Sequence, residues 1–194
     1  MREASLQRKT SETSMAVKIN LDGNGAAQVN TGIAFFDHML KSLCRFACFD
    51  MEFNAQGDLA VDAHHTIEDS GIVIGQAIRR ALGEIKGIER VGQALLPMDE
   101  ALVQVALDVA NRPYLAWKMA DMDGSVGEFP VEMAEEFFRA LTVHAGLTLH
   151  IQVLAGRNRH HVLESMFKGV GMALRLALAA NPRFDGVPST KGVL

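Results

Sequence analysis

His64-His65-Thr66-Ile67-Glu68 and His160-His161-Val162-Leu163-Glu164 are two copies of one pentad, 96 positions apart (64 to 160), in a chain of 194 residues. The shared register continues beyond them. Gly75 falls on Gly171, Ala77 on Ala173, Arg79 on Arg175, Ala81 on Ala177 and Leu82 on Leu178. Matching small and apolar helix residues can arise by chance. Two His-His-x-x-Glu pentads in the same register mark an internal duplication, and that duplication decides the fold.

Working outward, Ile67, Ile74, Ile78 and Leu82 give His65–Leu82 helical periodicity, closed by Gly83 and Gly87. Val162–Ala180 is its counterpart. Before each lies another helical stretch, Ile33–Ala47 with Phe36, Met39, Leu40 and Leu43 spaced for one face, and Val131–Ala145, stopped by Gly146. Alternation predicts strands at Met15–Leu21, Phe49–Phe53, Val103–Val109, Tyr114–Met119 and Leu147–Val153. The turn residues Asp22-Gly23-Asn24-Gly25 predict a hairpin between Met15–Leu21 and a short strand at Val29, and Pro113 marks a second turn. Residues 1–11 are polar and are expected to be loose unless a partner ties them down. The chain therefore reads as one domain of two pseudo-repeats, about 12–92 and 93–180, with a tail over 181–194.

Composition narrows the partners. Hydrophobic content of 48% with 22% charged residues is that of a globular protein. Nineteen Lys and Arg against 23 Asp and Glu give a net charge of −4, which argues against a nucleic-acid binder while leaving room for a local anion site. No apolar run approaches the roughly 20 residues of a membrane span. Cys44 and Cys48, one helical turn apart, read as free thiols rather than a disulfide framework. Met1–Lys9 lacks the apolar segment of a secretion signal, so a cytoplasmic location is expected.

Four of the seven histidines sit in the pentads. On a helix, Glu68 lies three and four residues from His65 and His64, so a carboxylate shares a face with imidazole. Imidazole nitrogen with carboxylate oxygen and no thiolate suits Mn, Fe or Zn. Helix capping or a local hydrogen bond is the plainer reading of a single pentad. His38 precedes the first pentad by 26 residues and Glu136 the second by 24, each on the preceding helix, so the duplication proposes them as further ligands. Glu136 also reads as part of a solvated face beside Glu135, and His38 as a hydrogen-bonding partner of Asp37. His144 and His150 match no partner in the repeat.

Thr31-Gly32-Ile33-Ala34-Phe35-Phe36-Asp37-His38-Met39-Leu40, the two pentads and Pro188-Ser189-Thr190-Lys191-Gly192-Val193-Leu194 together resemble the imidazoleglycerol-phosphate dehydratase family of histidine biosynthesis. The resemblance runs from about Arg8 to Leu194. It implies a duplicated α/β (α+β) fold with four helices sandwiched between two four-stranded sheets, and a homo-oligomer of 24 subunits with manganese at subunit interfaces. It implies metal ligation by His38, His64, His65, Glu68, His160, His161 and Glu164, with Glu136 at a position often occupied by histidine. One ion would take His38, His65, Glu68 and His161, and a second His64, Glu136, His160 and Glu164. The segment Lys41-Ser42-Leu43-Cys44-Arg45-Phe46 departs from the family, lacking a glutamine and a histidine often found there.

The reaction implied is a lyase step, loss of water from imidazole-glycerol phosphate to give imidazole-acetol phosphate. Its difficulty is a C–H bond that no carbonyl activates. An imidazole bridging two cations can lose its N–H, and the imidazolate can expel the neighbouring hydroxyl. The diazafulvene-like product of that step makes the adjacent C–H acidic enough for a carboxylate to take its proton. Glu12 matches the family's N-terminal acid and is the candidate base. Arg90, Arg112, Lys168, Ser189, Thr190 and Lys191 match substrate-binding positions, and Arg suits phosphate through paired hydrogen bonds. A metal-storing assembly or a dimetal hydrolase would use the same pentads, but the former needs neither Glu12 nor the basic tail.

Overall fold

A computed structural model describes residues 1–119 and 122–194. The first half runs β1 (Glu3–Lys9), β2 (Thr13–Asn20), β3 (Ala27–Asn30), α1 (Ala34–Ala47), β4 (Asp50–Gly57) and α2 (His64–Leu82). The second runs β5 (Val91–Met98), β6 (Ala101–Asp108), β7 (Tyr114–Lys118), a small hairpin of β8 (Ser125–Val126) and β9 (Phe129–Pro130), α3 (Met133–Ala145), β10 (Thr148–Ala155) and α4 (Arg159–Ala177). The four-stranded sheets have matching orders, β1-β2-β4-β3 and β5-β6-β10-β7. Helices α1 and α2 lie on the first sheet, α3 and α4 on the second, and the four helices fill the space between.

Each helix takes its helical neighbour chiefly from the other half: α2 packs on α3, and α1 on α4. Gly75 and Gly171 make this close approach possible. A Cβ at Gly75 would stand 2.8 Å from the Leu141 carbonyl oxygen, and one at Gly171 only 2.4 Å from that of Leu43. At the centre Phe36, Phe137, Phe138 and Phe167 are fully buried, with ring centroids 4.7 Å apart for Phe138 and Phe167 and 5.3 Å for Phe137 and Phe167. Each such side chain contributes about 1.5–3 kcal/mol by leaving water.

Two sequence expectations are corrected. Residues 1–11 are not loose: β1 pairs antiparallel with β2 from Glu3↔Asn20 to Lys9↔Ser14, and it turns Ala4 and Leu6 inward. Nor do β2 and β3 form a hairpin, because β4 lies between them, antiparallel to β2 and parallel to β3. The cause is Asp50, at the start of β4, whose Oδ1 accepts the Asn24 and Ala26 N–H groups at 2.9 Å each. The glycine-rich turn is thereby pinned to β4 and delivers β3 to its far side. The N–H of Asn24, then that of Ala26, holds Asp50 below the usual carboxylate range. In the second half β7 likewise runs parallel to β10 instead of pairing with β6.

Candidate metal and substrate site

Helix α4 starts three residues before its expected first residue because Asn158 caps it, its Oδ1 accepting the N–H groups of His160 at 3.0 Å and His161 at 3.4 Å. Both histidines of the second pentad therefore occupy the first turn. His160 Nε2 lies 2.9 Å from Glu164 Oε2, one turn along. The packing of α1 on α4 brings His38 to the same carboxylate, Nε2 to Oε2 3.5 Å. Asp37 is occupied elsewhere: its Oδ1 accepts from the Thr31 backbone at 2.8 Å and the Thr31 hydroxyl at 2.6 Å, fixing the first turn of α1. His38, His160 and Glu164 each offer a ligand atom within 4.8 Å of the others.

Glu164 is only 5% exposed, and Lys168 Nζ stands 2.8 Å from its Oε1. Burial pushes its pKa up, but Lys168 and His160 outweigh burial and hold the carboxyl below its ordinary range. Lys168 Nζ also lies 5.4 Å from the centre of the Phe46 ring, so the altered segment 41–46 supplies an aromatic face to this cation. The donor set of two imidazoles and a carboxylate fits Mn, Fe or Zn. The Cys44 thiol is buried and pushed up to about 12, and takes no part.

At the first pentad, Asp62 Oδ1 accepts the His64 N–H at 2.8 Å. His64 Nε2 lies 3.7 Å from Glu68 Oε2, with the two side chains 42% and 45% exposed. Glu136 stands in the first turn of α3 with its Oε2 3.9 Å from Arg139 Nε, and Arg139 also pairs with Glu135. Within one chain His38 therefore joins His160 and Glu164, residues expected on the other ion, because α1 packs on α4 and not on α2.

The remaining pentad histidines, His65 and His161, are each held from behind. His65 Nδ1 lies 3.0 Å from Asp58 Oδ2, and His161 Nδ1 lies 2.7 Å from Glu100 Oε2. The hydrogen bond His65 donates to Asp58 raises the His65 pKa, and the one His161 donates to Glu100 raises the His161 pKa. Glu100 is lowered to about 2, by His161 first and then by the Asn158 N–H. Sequence reasoning missed both acids.

Glu12 occupies the turn between β1 and β2. Its Oε2 is 3.9 Å from His65 Nδ1, and its side chain is half exposed. Thr10 Oγ1 shapes the turn by accepting the N–H groups of Glu12 at 3.1 Å and Thr13 at 2.9 Å. Thr13 donates its hydroxyl to Asp69 of α2 at 2.5 Å, and Arg8 pairs with the same carboxylate. That buried linkage ties the turn to the helix carrying the first pentad.

Of the candidate anion-binding residues, Arg90, Arg112, Ser189, Thr190 and Lys191 line one cavity of about 800 Å³, whereas Lys168 stands on α4 beside Glu164. Arg90 acts as a strut there. It donates to Asp108 at 2.7 and 2.9 Å and to the Pro188 carbonyl at 2.7 Å, latching the tail over the cavity. Arg112 is 70% exposed and points a freer guanidinium at the same space.

A family model described as imidazoleglycerol-phosphate dehydratase matches residues 31–174. A relative so named from Desulfitobacterium hafniense is 68% identical over 194 residues, covering 100% of this chain and 99% of the relative. Another from Moorella thermoacetica is 52% identical over 193 residues, covering 100% of this chain and 98% of the relative. The crystal structure of imidazoleglycerol-phosphate dehydratase from Staphylococcus aureus superposes with a TM-score of 0.84 at 37% identity, covering 92% of this chain and 99% of that one.

Proposed function

The chain belongs to the imidazoleglycerol-phosphate dehydratase family, and from that premise we propose how its residues divide the work. It is an enzyme, a carbon–oxygen lyase of histidine biosynthesis. Among the described residues no helix is long and apolar enough to cross a membrane. The substrate in this reading is imidazole-glycerol phosphate and the product imidazole-acetol phosphate, made in the cytoplasm.

His38, His64, His65, Glu68, Glu136, His160, His161 and Glu164 would hold two divalent cations, manganese by preference, with ligands pooled among the subunits of a 24-subunit assembly. When bound, the ions supply Lewis acidity that favours the imidazolate form of the substrate ring. Glu12 takes the proton from the adjacent carbon. Arg112, Lys191, Ser189 and Thr190 grip the phosphate, Arg90 holds the tail that carries three of them, and Lys168 adds positive charge beside the metal ligands.

The observation that carries this reading is the gathering of His38, His160 and Glu164 from two helices around one small volume. Turnover of imidazole-glycerol phosphate before and after chelation, with restoration by Mn²⁺, tests it. A protein that binds Mn²⁺ but leaves the substrate unchanged would fit the storage reading instead, and release of inorganic phosphate would fit a hydrolase.

A further inference from the structure

Glu12 and Glu100 hold matching places in the two halves. Each is the last residue before the second strand of its half, Thr13 opening β2 and Ala101 opening β6. The strand registers agree, Lys9↔Ser14 in the first sheet answering Pro97↔Leu102 in the second. Each turn leans over a helix start, so each glutamate faces the second histidine of its pentad. Their contacts nevertheless differ. Glu100 lies 2.7 Å from His161 Nδ1, whereas Glu12 stops 3.9 Å from His65 Nδ1. The place beside His65 is taken by Asp58, from the loop before α2, at 3.0 Å.

We propose that Glu100 and Asp58 are positioning residues that fix His161 and His65 with the proton on Nδ1 and a bare Nε2 lone pair turned outward for a metal, and that Asp58, by doing this work in the first half, frees Glu12. The proposal rests on the reading of His65 and His161 as metal ligands. An ionised carboxylate only accepts hydrogen bonds, so the nitrogen bonded to it carries the proton, and the other nitrogen of a neutral ring is then the lone pair. The exposed Asp99 Oδ2 lies 3.7 Å from His161 Nε2, beyond hydrogen-bond reach. The same orientation is reached in both halves by acids from different places, one in a helix-entry loop and one in a hairpin turn. Inheritance of a single ancestral contact does not produce that pattern. A requirement for the same histidine orientation at both ends does.

Glu100→Gln separates positioning from scaffolding. Glu100 Oε1 accepts the N–H groups of Arg157 at 3.2 Å and Asn158 at 2.8 Å, while Oε2 faces the ring. In a glutamine the one carbonyl oxygen stays with those two donors, which leaves the NH₂ group facing Nδ1. The ring must then accept at Nδ1 and carry its proton on Nε2, where the metal should bind. The helix entry survives while the imidazole is turned to the wrong tautomer.

Calorimetric titration of metal-free protein with Mn²⁺ is the test. Glu100→Gln should weaken binding about 10–100-fold, the loss typical of removing a ligand's supporting carboxylate, with the thermal midpoint of the metal-free protein unchanged. Asp58→Asn should weaken binding similarly, and Glu12→Gln should leave Mn²⁺ affinity at the wild-type value. Wild-type affinity in both Glu100→Gln and Asp58→Asn overturns the proposal, as does a loss in Glu12→Gln equal to theirs. His161→Ala separates this failure from that of the ligand reading: unchanged affinity there removes His161 as a ligand altogether, whereas a large loss beside a wild-type Glu100→Gln overturns the positioning role alone.

Discussion

Around His160 and Glu164 the charged groups are gathered and balanced, while around His64 and Glu68 they stand apart. The buried Glu164 carboxylate has Lys168 at 2.8 Å, His160 at 2.9 Å and His38 at 3.5 Å. At the end that carries the first pentad the repeat puts Ile72 where the other end has Lys168, and α3 offers an acid, Glu136, at the place equivalent to His38 of α1. Glu68 then pairs, among the described residues, with His64 at 3.7 Å, and Glu136 turns toward Arg139. Like charges do not gather without a cation between them. One end of the molecule sets a lysine against its buried carboxylate, and the other has no lysine at the equivalent place.

The widest difference between the ends is the free carboxylate on the first hairpin turn. Glu12→Gln keeps size and reach but removes basicity, so kcat should fall about 10²–10⁴-fold with little change in KM. Metal content should stay normal. Steady-state kinetics with a metal count checks both; an unchanged kcat would erase the functional distinction between the two turns.

A smaller effect separates Glu136 from its neighbour. Glu136→Gln should weaken Mn²⁺ binding by about 10-fold or more, and Glu135→Gln, which loses only a surface pair with Arg139, should not. Titrating both variants decides it. Equal affinities would return Glu136 to the solvated face and leave the first end without a counterpart to His38.

In metal-free protein the order of importance of the pentad acids should favour the second half. Glu164→Gln strips a buried charge from Lys168 and two histidines, and should cost about 1.5–3 kcal/mol. Glu68→Gln alters a half-exposed side chain, and should stay within about 0.5 kcal/mol. Urea unfolding measures both. Equal losses would mean that the two ends are alike before metal arrives.

The smallest contrast concerns the ends of α1 and α3. Both close with a left-handed residue, Gly146 at φ 71° and Cys48 at φ 57°. A side chain in that region costs about 1–2 kcal/mol, offset in part by the greater freedom of glycine in the unfolded chain. Cys48→Gly should therefore stabilise by about 0.5–1 kcal/mol and raise the thermal midpoint by about 2 °C. A lower midpoint would show that the contact of Arg175 with Cys48 Sγ, at 3.8 Å, outweighs the strain.

The helices and the pentads were legible in the sequence because both signals are local. Ile67, Ile74 and Ile78 repeat at helical spacing, and four histidines in two matching clusters carry their own chemistry. Strand β1 was hidden because its inward face is Ala4, Leu6 and the polar Arg8, too weak an apolar alternation in an otherwise polar stretch. The partner of β3 was hidden because a carboxylate 24 to 26 residues away, on Asp50, decides where the turn leads. Glu100 gave no signal for the same reason, and Asp58, though only seven residues before His65, stands as a lone acid in a loop outside the helical spacing of the pentad. Glu100 reaches His161 across 61 residues of sequence, and only the closed sandwich brings them together. The anion-binding residues follow from the family resemblance, but their split into a tail cavity and a separate Lys168 depends on where the chain returns after α4.

The pairing of α1 with α4 and of α2 with α3 also bears on ancestry. A half-length chain would fold a sheet with two helices on it and leave the far side of those helices bare. A second copy of itself would cover that side, with the glycine contacts of Gly75 and Gly171 made twice across a two-fold axis. Symmetry in such a dimer forces every residue to do the same work in both copies. Joining the copies in one gene lifts that constraint. Only in the fused chain could one turn glutamate steady a histidine, as proposed for Glu100, while its twin is left for the proton transfer proposed for Glu12.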